Sequence, residues 1–105
     1  MTAALVVSNA AREDTRRILE YLEEHAGVQV SLRYAIDSDV AIDRIAALPH
    51  SGSPRRQYGD DVRAVIVDPY LISYVTTSRG DRVEVLRILH GSRNITEDLV
   101  RGEGE

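Results

Sequence analysis

The 105-residue sequence predicts an α+β domain of element order β-α-α-β-β-β, an antiparallel four-stranded sheet covered on one face by a helical hairpin. Three observations carry this expectation. Two long segments with a helical apolar period meet at a single glycine, Gly27. Three β-like runs follow, separated by turns of a few residues. A short apolar run, Leu5-Val6-Val7, precedes them all. Turns this short pair neighbouring strands antiparallel. Two helices in a hairpin need a sheet on which to bury their apolar stripes.

Leu5 to Val7 reads as the first strand. Ser8 and Asn9 are both good helix N-caps. From Ala10 to about His25, Ala11, Thr15, Ile18 and Leu22 fall on one stripe with Leu19 beside it, while Arg12, Arg16, Glu20, Glu23 and Glu24 face out. Gly27 is a C-cap. Val28 to Leu48 reads as a second helix with an inner stripe of Ala35, Ser38, Ala41 or Ile42, Ile45 and Leu48, and Pro49 stops it. His50 to Gly59 holds two Gly and a Pro without an apolar period, so it reads as a loop. Val62–Val67, Tyr70–Thr77 and Val83–His90 are the remaining strands, turned at Asp68-Pro69 and at Ser78-Arg79-Gly80-Asp81. The tail from Asn94 adds a helical turn, and Gly102 to Glu105 frays. No repeat or linker interrupts the chain, so 1–105 reads as one domain.

Composition narrows the function classes. There is no Cys, which excludes disulfides, thiolate chemistry and Cys-based zinc sites. No stretch approaches the ~20 apolar residues of a membrane span, and the first residues lack a basic flank and a long apolar region, so a cytoplasmic protein without a membrane role is expected. The net charge of −4 argues against binding of free nucleic acid through bulk charge. Its distribution is uneven: residues 1–48 carry −3, residues 49–93 carry +2 and residues 94–105 carry −3. All 13 basic residues are Arg. Arg makes planar, bidentate contacts to phosphate or carboxylate but does not titrate as a base near neutral pH.

The candidate functional residues therefore lie in the late, Arg-bearing region. His90 reads either as a catalytic or target-contacting residue or as a strand-end His packed at the domain edge and hydrogen-bonded to backbone. Arg87 reads either as a cation displayed on the open sheet face or as a strand residue paired with Glu84 or with an acid on the neighbouring strand. Arg93 sits in a turn, free to reach a partner or simply solvated. Arg55-Arg56 is a loop pair. Tyr70 and Tyr74 share a face and read as packing before stacking. His25 and His50 read as solvated, and the three His show no metal spacing. Neither Gly52 nor Gly59 belongs to a phosphate loop. By strict alternation Glu84 and His90 share a face but lie roughly 20 Å apart, whereas Arg87 and His90 point to opposite faces. No acid–base pair is visible. The open sheet face and two-helix groove leave apolar surface for a partner segment, laid in as a helix or added as a strand.

These pieces, in this order, resemble the ParE/RelE superfamily of toxins. Ser8 to Asp14 with Ile18 and Tyr21 is similar to its first helix. Leu48-Pro49-x-x-Gly52-x-Pro54-Arg55 is similar to its helix-to-sheet loop. Arg63 with Tyr70-Leu71-Ile72-Ser73-Tyr74-Val75 is similar to its central hairpin, and Val83 to Ile95 to its last strand. The His90-Gly91-Ser92-Arg93 ending is more typical of the ParE branch. That branch is known for poisoning DNA gyrase under the control of a ParD-type antitoxin. The RelE branch cleaves mRNA in the ribosome. The resemblance thus implies a cofactor-free toxin with an antitoxin partner. Its target-binding candidates are Arg87, His90, Arg93, Arg63 and Arg55; a ribonuclease would use His90, Arg93 and Arg63. The absence of Lys, and Leu99 where a RelE-like chain has a late Tyr, favour the gyrase poison. A third reading is a degenerate toxin that only binds its antitoxin.

Overall fold

A computed structural model describes residues 2–101. Its elements are strand β1 (Ala4–Val7), helices α1 (Asn9–Ala26) and α2 (Val28–Ala47), strand β2 (Ser53–Pro54), a 3₁₀ turn (Arg56–Tyr58), strands β3 (Val62–Val67), β4 (Tyr70–Thr76) and β5 (Arg82–His90), and a short helix α3 (Glu97–Val100). The class is α+β, as predicted. The sheet has five strands, not four, in the order β1-β5-β4-β3-β2. It is also mixed: β1 runs parallel to β5, while the other pairs are antiparallel. The extra strand and the 3₁₀ turn lie in the segment expected to be all loop. The α1–α2 hairpin is the crossover that returns the chain to the far side of the sheet, so β1 can lie parallel.

Ser8 starts α1. Its hydroxyl accepts from the Ala11 N–H at 3.0 Å and donates to the Leu86 carbonyl at 2.7 Å. One residue therefore caps the helix and ties it to β5. Gly27, at φ +99°, separates the helices in a backbone region that L residues avoid. The two helices pack on one sheet face around Ala11, Ile18, Tyr34, Ile45, Ile72, Tyr74, Val83, Val85 and Ile88. In α2 the buried stripe is Ser31, Tyr34, Ser38 and Ile45. Ser38 and Ile45 were expected there; Leu48 was too, but it is exposed.

The opposite face is less open than expected. Tyr58 of the 3₁₀ turn and Val100 of α3 bury against Val62, Ala64 and Leu71. Thr96 caps α3 by accepting from the Leu99 N–H at 3.2 Å, and Arg101 pairs with Asp61. The expected fraying from Gly102 onward lies outside the described residues.

A bulge in β5 sets the aim of its side chains. Tyr74 lies opposite Val85 and Ser73 opposite Arg87, so Leu86 is the extra residue. The fully buried Ser73 hydroxyl mends the ladder by accepting from the Arg87 N–H and donating to the Arg87 carbonyl, both at 3.2 Å. The bulge overturns one expectation. Glu84 lies opposite Val75 on the α3 face, whereas His90 lies opposite Tyr70 on the helix face. The two do not share a face.

Candidate functional site

The outer edge of β5 is paired with β1 only as far as Val85. Beyond that point α1 takes over the ladder. The Ser8 N–H donates to the Val85 carbonyl at 3.0 Å. Asp14, 7% exposed, accepts from the Ile88 N–H at 3.0 Å and from Arg87 Nε and Nη2 at 2.7 and 2.9 Å. Arg87 Nη1 donates to the Leu99 carbonyl of α3 at 2.9 Å. The Arg87 guanidinium thus links both faces of the sheet around an open edge. Its partner is neither Glu84 nor an acid on a neighbouring strand but Asp14, 73 residues away. A desolvated, doubly bonded ion pair of this kind costs several kcal/mol to break.

His90 ends β5 and is exposed. Its Nδ1 accepts from the Ser92 N–H at 3.1 Å and lies 2.7 Å from the Ser92 hydroxyl. A backbone N–H can only donate, so the neutral ring carries its proton on Nε2. The ring meets Tyr70 edge-on at 5.4 Å between centroids, and Tyr70 meets Tyr34 in the same way at 5.0 Å. Arg93 follows in the exposed turn. It and His90 line a 180 Å³ pocket together with Arg17 and Asp14 of α1.

Arg63 and Arg55 lie elsewhere. Arg63 Nη1 donates to the carbonyls of His50 and Gly52 at 3.0 and 2.8 Å, holding the α2–β3 connection. Tyr74 holds the same connection from beneath: its hydroxyl donates to the Pro49 carbonyl at 2.8 Å and accepts from the Gly52 N–H at 2.9 Å. A Cβ on Gly52 would overlap that hydroxyl and ring. The Arg55 side chain leaves a buried Nε without a hydrogen-bond partner among the described residues. Arg63 is level with Tyr74, whereas His90 is level with Tyr70 on the strand beyond. Strand spacing and rise then place Arg63 and His90 roughly 16 Å apart at Cα. The sequence candidates therefore form two groups. His90 and Arg93 stand together, Arg87 lies behind them in an ion pair, and Arg63 braces the α2–β3 connection in which Arg55 lies.

A second feature lies away from these candidates. Strand β2 covers only Arg63 and Ala64 of β3, so Val65, Ile66 and Val67 keep an unpaired outer edge. Between that edge and α2 run two adjoining cavities of about 380 and 390 Å³, which share Asp37 and Val67. Val30, Val40, Ile66 and Pro69 line this groove. Val28, Leu32, Ile36 and Val40, spaced four apart along α2, are 54–62% exposed. With Val30, Leu48 and Ile66 they make up most of the large exposed apolar side chains. The signal lay in the second helix, where apolar residues occupy more than one face. Among the described residues there is no cluster of His, Asp or Glu suited to a metal ion, and no helix is long and apolar enough to cross a membrane.

Residues 5–95 match the family described as the ParE toxin of the type II toxin–antitoxin system parDE. The chain is 31% identical over 93 residues to Toxin ParE1 of Caulobacter vibrioides, spanning 89% of this chain and 94% of that one. Its fold matches a chain from the chromosomal ParDE toxin–antitoxin system of P. aeruginosa with a TM-score of 0.71 at 16% identity, covering 85% of this chain and 96% of the other. It also matches a chain of the RelBE2 toxin–antitoxin complex of Mycobacterium tuberculosis with a TM-score of 0.61, again at 16% identity, covering 86% and 99%.

Proposed function

The chain belongs to the ParE family of type II toxins, and from that premise we propose that it arrests growth by binding and poisoning DNA gyrase until a ParD-type antitoxin covers it. The carrying observation is the dispersal of its acid–base candidates. Phosphodiester cleavage needs a base, an acid and a cation on one phosphate. Here Arg63 is bonded to two backbone carbonyls some 16 Å from His90, and Arg87 is held by Asp14. What remains displayed is a cationic turn, His90 to Arg93, suited to contact more than to catalysis.

The antitoxin reading rests on the groove. Its free β3 edge offers backbone donors and acceptors to an added strand, and the exposed stripe of α2 offers an apolar ridge to a helix. Contiguous apolar surface of this kind is rare on a protein that works alone. Induction without the antitoxin tests the proposal. Growth should stop with altered DNA supercoiling and an induced DNA-damage response. Arrest with both unchanged, and with mRNA cut in the ribosomal A site, would replace it with the ribonuclease reading.

A further inference from the structure

The 180 Å³ pocket beside the end of β5 has a charge balance that the target reading does not use. Its one acid, Asp14, is already matched: its oxygens accept from Arg87 and from the Ile88 N–H. Two further guanidiniums reach the same pocket from different elements, Arg17 from α1 and Arg93 from the turn after β5. Among the described residues, no hydrogen bond or ion pair engages the Arg93 side chain. Arg17 touches Glu13 at 3.3 Å, but Glu13 is held more closely by Arg16, at 2.5 Å. That competition leaves much of the Arg17 fork available. His90 supplies a third group, its Nδ1 turned to Ser92. Tyr70 forms an aromatic wall.

We propose that Arg17, His90 and Arg93 form a binding site for a tetrahedral phosphate group. Two guanidinium forks and an imidazole N–H present only donors, and paired guanidiniums match phosphate oxygens bidentately. The chain's overall charge of −4 keeps it off bulk nucleic acid, so a local pocket is the place where one phosphate can be taken selectively. This deepens the reading of the β5 end as a target contact. It depends on that reading only for the source of the phosphate, which is either a nucleic-acid backbone held by the target or a free phosphoester.

The test is a titration of the ¹⁵N-labelled toxin with inorganic phosphate, balanced with chloride to constant ionic strength. The Arg17 and Arg93 Nε–H signals and the Ser92 amide should shift saturably. Arg17→Gln and Arg93→Gln should each weaken binding at least about tenfold, while Arg79→Gln, in the exposed β4–β5 turn, should not. Both substituted side chains are solvent-facing, so folding is preserved and is checked by the amide spectrum. Shifts that do not saturate, that chloride reproduces, or that survive both substitutions would overturn the site. In a second arm, tighter binding by a short duplex DNA assigns the phosphate to a nucleic-acid backbone, and tighter binding by a nucleoside monophosphate assigns it to a free phosphoester. Phosphate binding without gyrase poisoning keeps the site and removes the target reading. Poisoning without phosphate binding does the reverse.

Discussion

Replacing Asp14 with Ala should be among the most damaging single changes on the molecule's surface-facing helices. The carboxylate accepts three hydrogen bonds, two from Arg87 and one from the Ile88 N–H. The side chains of the pair are 8% and 12% exposed, so solvent screens little of the interaction. Truncation leaves a buried guanidinium without its counter-charge and a strand N–H without an acceptor at the bulge. Breaking such a pair costs about 3–5 kcal/mol. A domain of this size holds roughly 5–15 kcal/mol in all. At about 3 kcal/mol the Tm would fall by roughly 12–24 °C. Urea unfolding followed by circular dichroism measures the loss as a lower midpoint at unchanged slope. Asp14→Leu combined with Arg87→Met should recover part of it, because no charge is then left buried. A loss under about 1 kcal/mol would show that the pair does not hold α1 to β5. So would double-variant energies that add within about 0.5 kcal/mol.

Further outcomes follow from other parts of the fold. Gly52→Ala drives a methyl into the Tyr74 hydroxyl and ring, and overpacking of this kind costs about 1–3 kcal/mol, readable as a lower urea midpoint. Burial pushes the Tyr34 phenol up to about 12, and it raises Tyr74 as well. The folded state therefore holds both as neutral phenols. Their contribution is whole below the ordinary tyrosine value of about 10 and is lost as the pH climbs towards the folded value. Stability should thus drop by about 2–3 kcal/mol between pH 10 and 12 on account of Tyr34, and Tyr34→Phe should flatten that decline in urea melts taken across the range. Val40→Asp or Ile66→Asp should leave stability within about 1 kcal/mol, since both side chains are more than half exposed. Either should weaken antitoxin binding roughly ten- to hundredfold by calorimetry, the loss typical of a central apolar contact.

Much of this fold is legible in the sequence, and the misses share a physical cause. Local signals located both helices, the Gly27 break and the last three strands to within a residue or two. The parallel pairing of β1 with β5 was missed because a four-residue apolar run carries no register of its own. The 50–59 segment reads as loop because its one buried large apolar side chain, Tyr58, has no periodic neighbour. The bulge was missed because strict alternation assigns every β5 residue a face, while Leu86 adds one residue to the count and the ladder is mended by a long-range bond from the Arg87 N–H to the Ser73 hydroxyl. The site was partly legible for the same reason. His90 and Arg93 are close in sequence and close in space. Asp14 meets Arg87, and Arg17 shares a pocket with His90 and Arg93, only because α1 crosses the end of β5, and no spacing rule reports a contact over 73 residues. The apolar outer face of α2 is present in the composition of the second helix, but a single inner stripe does not account for it.

Purified gyrase and supercoiled plasmid test binding without catalysis most directly. With the toxin added, trapped cleavage complexes should accumulate as linear DNA after detergent and protease treatment. A molar excess of the cognate antitoxin should abolish them, and ribosomes programmed with mRNA should show no A-site cleavage under the same toxin. Intact plasmid supercoiling beside A-site cuts in the message would contradict the account.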